Sequence, residues 1–344
     1  MRVPRRTFGH DACTYVQNGS VAHFDDTDTV RTRDALIAAR LYYQQDLTME
    51  AIARELNVSR SSVSRLLSFA RDTGLVDITV RSPSEMPSGI ERELRRRYSV
   101  VAHVVPMPDV TNEVDRRERV ALYTARIIGQ YFDSNMSMGI AWGSTMSAIS
   151  RHLIEKPTHN SQVVQLNGAG NPRTTGIIYA SEILQRFGDA FGAFVQQFPV
   201  PAFFDHAETK AAMWRESSVR RVLDVQRNVD IALFGLGAPF GTLPSHVYTG
   251  GYLDRTDLDW LQRNGVVGDI ATVFYREDGS YDGIPLNERA TGPDPELLKR
   301  VARRICVVSG ESKLPSIRGA LAGGFLTDLV IDAGTAHLLL ETGD

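Results

Sequence analysis

Cysteine is scarce in this sequence, with two residues in a chain of 344. Cys13 lies in a polar N-terminal segment and Cys306 in an apolar run, so neither a disulfide framework nor a cysteine-based metal site is expected. Runs of eighteen apolar residues are also absent, which predicts no membrane span. Arg5 and Arg6 suggest a twin-arginine export signal, but no apolar segment follows them. Together these absences favour a protein of the reducing cytoplasm.

A strong charge of either sign is missing too. The formal net charge is −3, so the chain as a whole is not a polyelectrolyte partner for nucleic acid. Any DNA binding must therefore be confined to a small module. The length of 344 residues predicts two or three domains. Hydrophobic residues make up 42% of the chain, which is normal for a globular protein with a sizeable core.

The segment 47–69 has the pattern of two short helices joined by a tight turn. Thr48 precedes the first helix and Ser59 the second, and each is placed to cap the free amides of a first turn. Asn57 suits the left-handed backbone at a helix end, and Val58 is expected to plug the turn. Apolar residues at helical spacing form one face of each helix: Leu47, Ala51, Ile52 and Leu56, then Val63, Leu66 and Leu67. The pattern predicts a helix-turn-helix whose second helix lies in the DNA major groove.

The charge of this segment agrees with that prediction. Between Leu56 and Arg71 the chain carries arginines but no acidic residue, as a helix close to phosphates requires. Short polar and basic side chains able to reach bases or phosphates are Thr48, Ser59, Arg60, Ser61, Ser62, Ser64 and Arg65. The alternative is an ordinary helical hairpin with a solvated basic face.

The flanking segments complete an N-terminal DNA-binding domain, predicted at 30–82. Residues 1–29 lack periodicity and are expected to be a flexible leader. A helix is predicted at 31–45, with Leu36, Ile37, Leu41 and Tyr42 on its inner side. The alternating run 75–80 predicts a strand, as in winged variants. A linker rich in serine and proline is predicted at 83–88.

Residues 89–344 alternate apolar, β-rich runs with amphipathic helical patterns. Strands are predicted at 100–105, 138–141, 163–166, 194–198, 231–234, 271–274, 305–308 and 328–331. Helices are predicted at 117–131, 145–154, 177–187, 217–226, 295–303 and 314–322. The fold class is therefore α/β, a doubly wound, Rossmann-like domain with a largely parallel sheet, behind a helix-turn-helix. Ligands of such sheets bind at the carboxyl ends of the strands.

Two of the strand-end loops contain small residues suited to an anion. In the first, Gly143 allows close approach of the backbone, a helix start offers free amides, and Ser144 and Thr145 add hydroxyl donors. A phosphate is the expected occupant, although a plain helix cap fits the same pattern. In the second, Gly168 and the neighbouring glycine permit a tight approach, and Asn167 or Arg173 is placed to meet hydroxyls or a second anion.

Two further strand-end positions carry charge. Asp269 stands at a glycine turn and either accepts hydrogen bonds from sugar hydroxyls or merely stabilises the turn. Lys313 lies where a strand leads into a helix, so it suits a ligand phosphate or carboxylate, or is a solvated lysine. The Gly235–Gly237 turn is weak support for a ligand, because it is not a GxGxxG fingerprint.

At these residues the sequence resembles the SorC-type group of sugar-binding transcriptional regulators. The resemblance spans about residues 31 to 340 and rests on the helix-turn-helix, the GIAWGSTM loop, the GVVGDI turn and the SGESKLPSIRGALAGGFLTDLVID segment. It implies an effector domain related to sugar-phosphate isomerases, a dimeric or tetrameric assembly, and a phosphorylated sugar or polyol as effector. By matching motif, Gly143, Ser144 and Thr145 would hold phosphate, Asp269 would accept hydroxyls and Lys313 would pair with the anionic end.

The sequence departs from the family pattern at one position, and other functions remain as alternatives. Asn167 stands where some members have a more basic phosphate contact, which favours a monophosphate over a bisphosphate. No cofactor or metal is expected, and a homo-oligomer is expected because one short helix reads too few base pairs. An isomerase or deaminase with an added DNA-binding domain is the competing hypothesis, yet Glu311 and Asp205 are unsupported partners for Asp269. A DNA-binding protein with a purely structural second domain is the third.

Overall fold

The structure, a computed structural model, describes residues 26–43, 45, 47–76, 88–108, 111–174, 176–239 and 245–341. The chain divides into two compact units, Met1–Glu85 and Met86–Asp344. Most of the predicted strand at 75–80 and of the predicted linker at 83–88 lies outside the described residues. So do residues 1–25 of the predicted leader, whose last four residues belong to the first helix.

The N-terminal unit is a three-helix domain, with α1 at Asp26–Tyr43, α2 at Met49–Glu55 and α3 at Arg60–Asp72. The Thr48 hydroxyl accepts a hydrogen bond from the Ala51 N–H and caps α2, and Ser59 caps α3 in the same way. Asn57 has a φ of 51°, so both caps and the left-handed turn are confirmed. The small core of the unit consists of Ala35, Ala38, Ala39, Leu41, Ile52, Val63, Leu67 and Ala70.

Two side chains predicted to be inside this unit are not. Leu36 is 36% exposed, because the inner face of α1 is built from alanines that let the helices approach closely. Val58 is 40% exposed and does not plug the turn. The hydrophobic pattern of α1 predicted the helix correctly but placed its buried face wrongly. The face that packs closely against the other helices carries small alanines, and the larger Leu36 beside them is left at the surface.

The second unit is built on a parallel sheet. Its strands and those of a separate hairpin are β1 at Val101–Val105, β2 at Ser137–Ile140, β3 at Gln162–Gln165, β4 at Phe194–Gln196, β5 at Ile231–Gly235, β6 at Val266–Ile270, β7 at Val273–Arg276, β8 at Arg303–Val308 and β9 at Asp328–Asp332. Among the described residues, seven of these pair in parallel in the order β1-β9-β8-β5-β2-β3-β4. The predicted α/β fold is confirmed.

Helices lie between the strands and cover the sheet on both faces. They are α4 at Gly89–Tyr98, α5 at Glu113–Tyr131, α6 at Ser144–Ser150, α7 at Ile177–Phe191, α8 at Ala207–Met213, α9 at Ser217–Arg227, α10 at His246–Thr249, α11 at Arg255–Arg263, α12 at Pro285–Arg289, α13 at Pro295–Leu298, α14 at Leu314–Ala322 and α15 at Ala333–Glu341. Along β5, Ile231 and Leu233 join one apolar layer, while Ala232 and Phe234 join the other. This double burial explains why the strands are continuously apolar.

The hairpin β6–β7 corrects the predicted strand at 271–274. β6 and β7 are antiparallel and form a separate two-stranded sheet. They are joined by Ala271 and Thr272, whose φ values of 46° and 74° are those of a tight hairpin turn normally made with glycine. Because neither residue is a turn-former, the sequence carried no signal for the turn. The predicted helix 295–303 is likewise too long, because α13 ends at Leu298 and Arg303 already belongs to β8.

The cap of α3 is the local interaction on which the predicted recognition helix depends. Ser59→Ala removes the acceptor that lies 3.1 Å from the Ser62 amide nitrogen. We expect the first turn of α3 to lose about 1 kcal/mol of protection in native-state hydrogen exchange, the usual cost of removing such a cap. Ser64→Ala is the matched control, because Ser64 is exposed on the same helix. Equal protection in the two variants would contradict the assignment.

Candidate functional site

The predicted DNA-contacting residues lie at the start of α3, except Thr48, which precedes α2, and not all their polar groups are available. The hydroxyls of Thr48 and Ser59 serve as helix caps. Those of Ser61 and Ser62 lie within 2.8 and 2.9 Å of the Ser59 oxygen. All of the predicted residues except the partly buried Ser62 are exposed.

Arg60 differs from Arg65 in its surroundings. The Arg60 guanidinium forms an exposed ion pair with Glu50 of α2 at 3.0 Å, whereas Arg65 contacts the Ser62 hydroxyl at 3.4 Å. The segment from Leu56 to Arg71 is acid-free as the sequence indicated, but the tertiary fold brings a carboxylate beside it. An exposed pair of this kind is weak, so a DNA phosphate can compete for Arg60.

In the second unit, the strand-end loops after β2, β3, β5 and β8 meet at one cavity. The cavity lies where the strand order reverses, between β2 and β5, which is where ligands bind in sheets of this type. Its lining includes Ser144, Thr145, Asn167, Asp269 and Lys313. These residues, which were predicted for the effector site, are thereby brought together.

Gly143 and Gly168, the two glycines predicted for that site, have different roles. Gly143 lines the cavity and has a φ of 143°, a conformation that side-chain-bearing residues rarely adopt. Gly168 is not among the residues lining this cavity. A Cβ there would stand 2.2 Å from the Pro201 carbonyl oxygen, so packing alone requires the glycine. Gly168 therefore supports the fold and is not part of the candidate site.

Asp269 is buried at the base of the cavity, with 3% of its surface exposed. Its carboxylate accepts hydrogen bonds from the Tyr248 hydroxyl at 2.8 Å and from the Thr272 N–H at 3.1 Å. It lies so close to Gly237 that a Cβ there would come within 1.6 Å of it. Burial raises the pKa of Asp269, and the two hydrogen bonds and the Lys313 charge oppose that rise.

Lys313 approaches the same cavity from the other side. It ends a short 3₁₀ helix, Glu311–Lys313, and its ammonium donates to the Leu236 carbonyl oxygen at 2.6 Å. The loop before it is tied to β9, since the Gly310 N–H donates to the Asp332 carboxylate at 3.0 Å. Burial lowers the pKa of Lys313, whereas the nearby Asp269 charge raises it. A partly desolvated cation of this kind gains more from an anionic ligand than a solvated lysine does.

Asn167 is the residue of the cavity with an unsatisfied polar atom. The residue is 1% exposed and its side-chain Oδ1 has no hydrogen-bond partner among the described residues. A buried acceptor without a donor is costly and rare in folded proteins. Because this side chain lines the cavity, a hydroxyl or amine of a ligand is the natural donor.

The cavity also contains residues that sequence patterns did not indicate. His246 of the short helix α10 lines it, and its ring lies 5.6 Å from the ring of Tyr179. Tyr248 of the same helix is not a lining residue but donates to the Asp269 carboxylate. A second cavity adjoins the first and adds Arg117 and Ser309. Arg117 lies within helix α5, so a search of strand-end loops has no means of finding it.

A larger groove lies elsewhere in the second unit, near Lys210 and Trp214. It encloses about 490 Å³, whereas the two adjoining cavities enclose about 50 and 170 Å³. None of the described residues that line this groove has a buried side-chain atom without a hydrogen-bond partner. Its volume is therefore the one feature that favours it as a ligand site. Within the described part of the chain there is no group of three His, Cys, Asp or Glu side chains that could hold a metal, and no helix could span a membrane.

Acid–base catalysis would need a second carboxyl or another base beside Asp269. Neither Glu311 nor Asp205, the partners considered from the sequence, is among the residues lining the two adjoining cavities. Asp269 itself is engaged by Tyr248 and Thr272. Titratable groups other than the two considered from the sequence do line these cavities, with His246 in both and Glu113 in the second.

Comparison with known proteins agrees with both parts of this description. The family described as "Putative sugar-binding domain" matches residues 82–341, and that described as "Sigma-70, region 4" matches residues 31–73. The deoxyribonucleoside regulator of Bacillus subtilis (strain 168) is 32% identical over 320 residues, which cover 91% of this chain and 99% of that protein. The sorbitol operon regulator of Klebsiella pneumoniae is 24% identical over 305 residues, covering 88% and 96%.

Solved structures show the same fold. A domain of a possible sugar-binding transcriptional regulator from Arthrobacter aurescens TC1 is 55% identical, covers 76% of this chain and 100% of that one, and superposes with a TM-score of 0.70. The full-length sorbitol operon regulator SorC from Klebsiella pneumoniae is 23% identical, covers 90% and 99%, and has a TM-score of 0.67.

A helix-turn-helix joined to an α/β domain with a strand-end cavity defines a DNA-binding transcriptional regulator with a sugar-binding domain. The comparisons assign it more closely. The chain belongs to the SorC-type family of sugar-binding transcriptional regulators.

The buried carboxyl of Asp269 predicts a pH effect on stability. Because its pKa is raised, the folded protein keeps this proton at pH values at which the unfolded chain has released it. Its contribution therefore falls as pH rises above the ordinary aspartate value of about 3.9. In Asp269→Asn that fall is absent, so thermal unfolding over a pH series should increasingly favour the variant relative to wild type.

The exposed Asp282→Asn is the matched control and should follow the wild-type profile. Parallel profiles for Asp269→Asn and wild type would show that the carboxyl titrates normally in the folded protein.

Proposed function

We propose that this regulator binds operator DNA through the start of α3 and that a phosphorylated sugar or polyol in the strand-end cavity controls its operator affinity. The observation that carries the proposal is the buried, unpartnered Oδ1 of Asn167 in a cavity that also holds Asp269 and Lys313. A sugar phosphate carries hydroxyls, which need acceptors, and an anionic group, which needs a cation. The cavity offers both kinds of partner.

The proposed interactions follow from the groups that are available. Asn167 and Asp269 accept from effector hydroxyls, while Lys313 faces the anionic end. Ser144 and Thr145 lie at the wall of the cavity and donate their hydroxyls to the phosphate. The helix α6 is only seven residues long, so we assign the phosphate to these side chains and to Lys313 rather than to a helix dipole.

Lys313 is the one lysine or arginine among the described residues that line the first cavity, which favours a monophosphate. The names of two relatives, a deoxyribonucleoside regulator and a sorbitol operon regulator, support a carbohydrate-derived effector. The informative experiment is a thermal-shift panel of sugar and polyol phosphates, followed by operator titration with each compound that stabilises the protein. No stabilisation by any member of the panel would leave the second unit without an effector role.

We further propose that the protein acts in the cytoplasm as a symmetric homo-oligomer, a dimer or a tetramer. One recognition helix reads too few base pairs for a specific operator, and a two-fold assembly presents two of them to paired half-sites. Sedimentation with and without operator DNA measures this assembly directly.

Replacing Arg65 tests the DNA-binding surface. In Arg65→Ala, binding to a DNA fragment selected by the wild-type protein should weaken, and the salt slope should fall by about 1 for each phosphate that is no longer neutralised. Arg60→Ala should also weaken binding, because it leaves the Glu50 carboxylate uncompensated beside the DNA. Fluorescence anisotropy over a salt series measures both.

The exposed Arg126→Ala, in the second unit, is the matched control and should bind as wild type does. Effector affinity should be unchanged in all three variants. Unaltered DNA affinity in both Arg60→Ala and Arg65→Ala would remove α3 from the proposed DNA surface.

Replacing Lys313 tests the effector cavity. Lys313→Ala should cost about 1–3 kcal/mol of affinity for a sugar phosphate found in the panel, the scale of a charge-assisted hydrogen bond. Calorimetry measures the difference, and Lys299→Ala, which removes a lysine paired with Glu296, is the control. Equal affinity of Lys313→Ala and wild type would show that Lys313 does not touch the effector.

A further inference from the structure

The cavity next to the proposed sugar site has the composition of an anion site. Arg117 and Lys313 supply two positive charges to its lining, and Glu113 supplies one negative charge. Hydroxyls are contributed by Ser144, Thr145 and Ser309. Ser144, Thr145 and Lys313 also line the first cavity, so the two cavities share a wall. A ligand can therefore extend from one into the other.

Arg117 is the unexplained residue of this second cavity. Its Nε is shielded from solvent and has no hydrogen-bond partner among the described residues. The preceding arginine, Arg116, is by contrast paired with the Asp332 carboxylate at 2.8 Å. A guanidinium whose buried N–H lacks an acceptor is matched best by a phosphate or carboxylate oxygen. The Nε of Arg117 is thus an unused donor that points to an anionic ligand.

The positive charge of Arg117 affects the pKa of Lys313. Burial lowers the pKa of Lys313 most strongly, and the positive charge of Arg117 lowers it further, while Asp269 and Glu113 raise it. Two cations that repel each other in a partly desolvated site are stabilised together when an anion lies between them.

The first cavity is unsuited to a phosphate at its base. Asn167 Oδ1 and the Asp269 carboxylate are acceptors, and an anionic ligand group has no proton to offer them. Asn167 and Asp269 line only the first cavity and Arg117 lines only the second, while Lys313 and the two hydroxyls of Ser144 and Thr145 line both.

We propose that the second cavity seats the effector's phosphate, with Arg117 as its second cation beside Lys313, while the hydroxyl-bearing carbons extend to Asn167 and Asp269. This inference rests on the proposed effector function and deepens it. It narrows the effector to a polyhydroxy compound with its phosphate at one end, long enough to pass Ser144 and Thr145.

The experiment uses the full chain and inorganic phosphate as the probe, in calorimetry at constant ionic strength. Arg117→Gln should weaken phosphate binding about tenfold, because it removes a charge-assisted hydrogen bond. Arg117→Lys should lie between this variant and wild type, since it keeps the charge but not the guanidinium fork. Glu113→Gln should change the affinity in the opposite direction, because it removes the negative charge of the cavity.

Arg119→Gln is the matched control, an exposed arginine on the same helix α5, and it should bind as wild type does. Circular dichroism verifies that each variant is folded. If Arg117→Gln does not fold, the Arg117→Lys and Glu113→Gln affinities decide the matter. Wild-type affinity in Arg117→Gln, or in both Arg117→Lys and Glu113→Gln, would overturn the proposal, as would the absence of phosphate binding by wild type.

Failure of this inference is distinguishable from failure of the proposed function. If sugar phosphates control operator binding equally in wild type and Arg117→Gln, the proposed regulatory function is supported and the proposed contact of Arg117 with the phosphate is wrong. If phosphate binding depends on Arg117 but no sugar phosphate changes operator binding, the anion site stands and the regulatory function falls.

Discussion

The common direction of the strands is the constraint on which the second unit depends. Because β2, β3, β5 and β8 are parallel, the loops that follow them emerge at one edge of the sheet, although they are far apart in the chain. The strand order reverses between β2 and β5, and the cavity lies at that reversal. The antiparallel hairpin β6–β7 is outside this sheet, yet its Asp269 carbonyl accepts from the Gly237 N–H at 2.8 Å. That bond ties the hairpin to the loop after β5.

The close approach of the Asp269 carboxyl group to the backbone at Gly237 determines which polar groups lie at the base of the cavity. Asp269 takes the space that a Cβ at Gly237 would need, and its carboxyl group accepts hydrogen bonds from two donors there. The turn that supplies one of these donors uses Ala271 and Thr272 in a backbone conformation that favours glycine. A strained backbone conformation of this kind persists only when the surrounding structure holds it in place. Here the strained turn lies beside the candidate site.

Much of the architecture was predictable because it rests on local signals. The caps at Thr48 and Ser59 and the turn at Asn57 are properties of adjacent residues, and the structure confirms them. Continuous apolar runs indicated a parallel sheet because both faces of such a sheet are buried. Residues at strand ends identified most of the cavity, since strand direction places their loops at one edge. Asp269 is the exception, because it was predicted at a glycine turn and lies within β6 of the separate hairpin. Their interactions with an effector stay a prediction.

The sequence by itself determined the α/β class, the order of most strands and the edge of the sheet at which polar loops meet, because these follow from periodicity and turn chemistry over short segments. It did not indicate β6 or the helices α8, α11 and α15. Tertiary structure alone decided which neighbours those residues have. It exposed Leu36, paired Arg60 with Glu50, and gave Gly168 a packing role. It also left Asn167 and Arg117 with buried atoms that lack partners within the described part of the chain. Whether a buried polar atom is satisfied depends on groups brought from distant parts of the chain, and no local pattern contains that information.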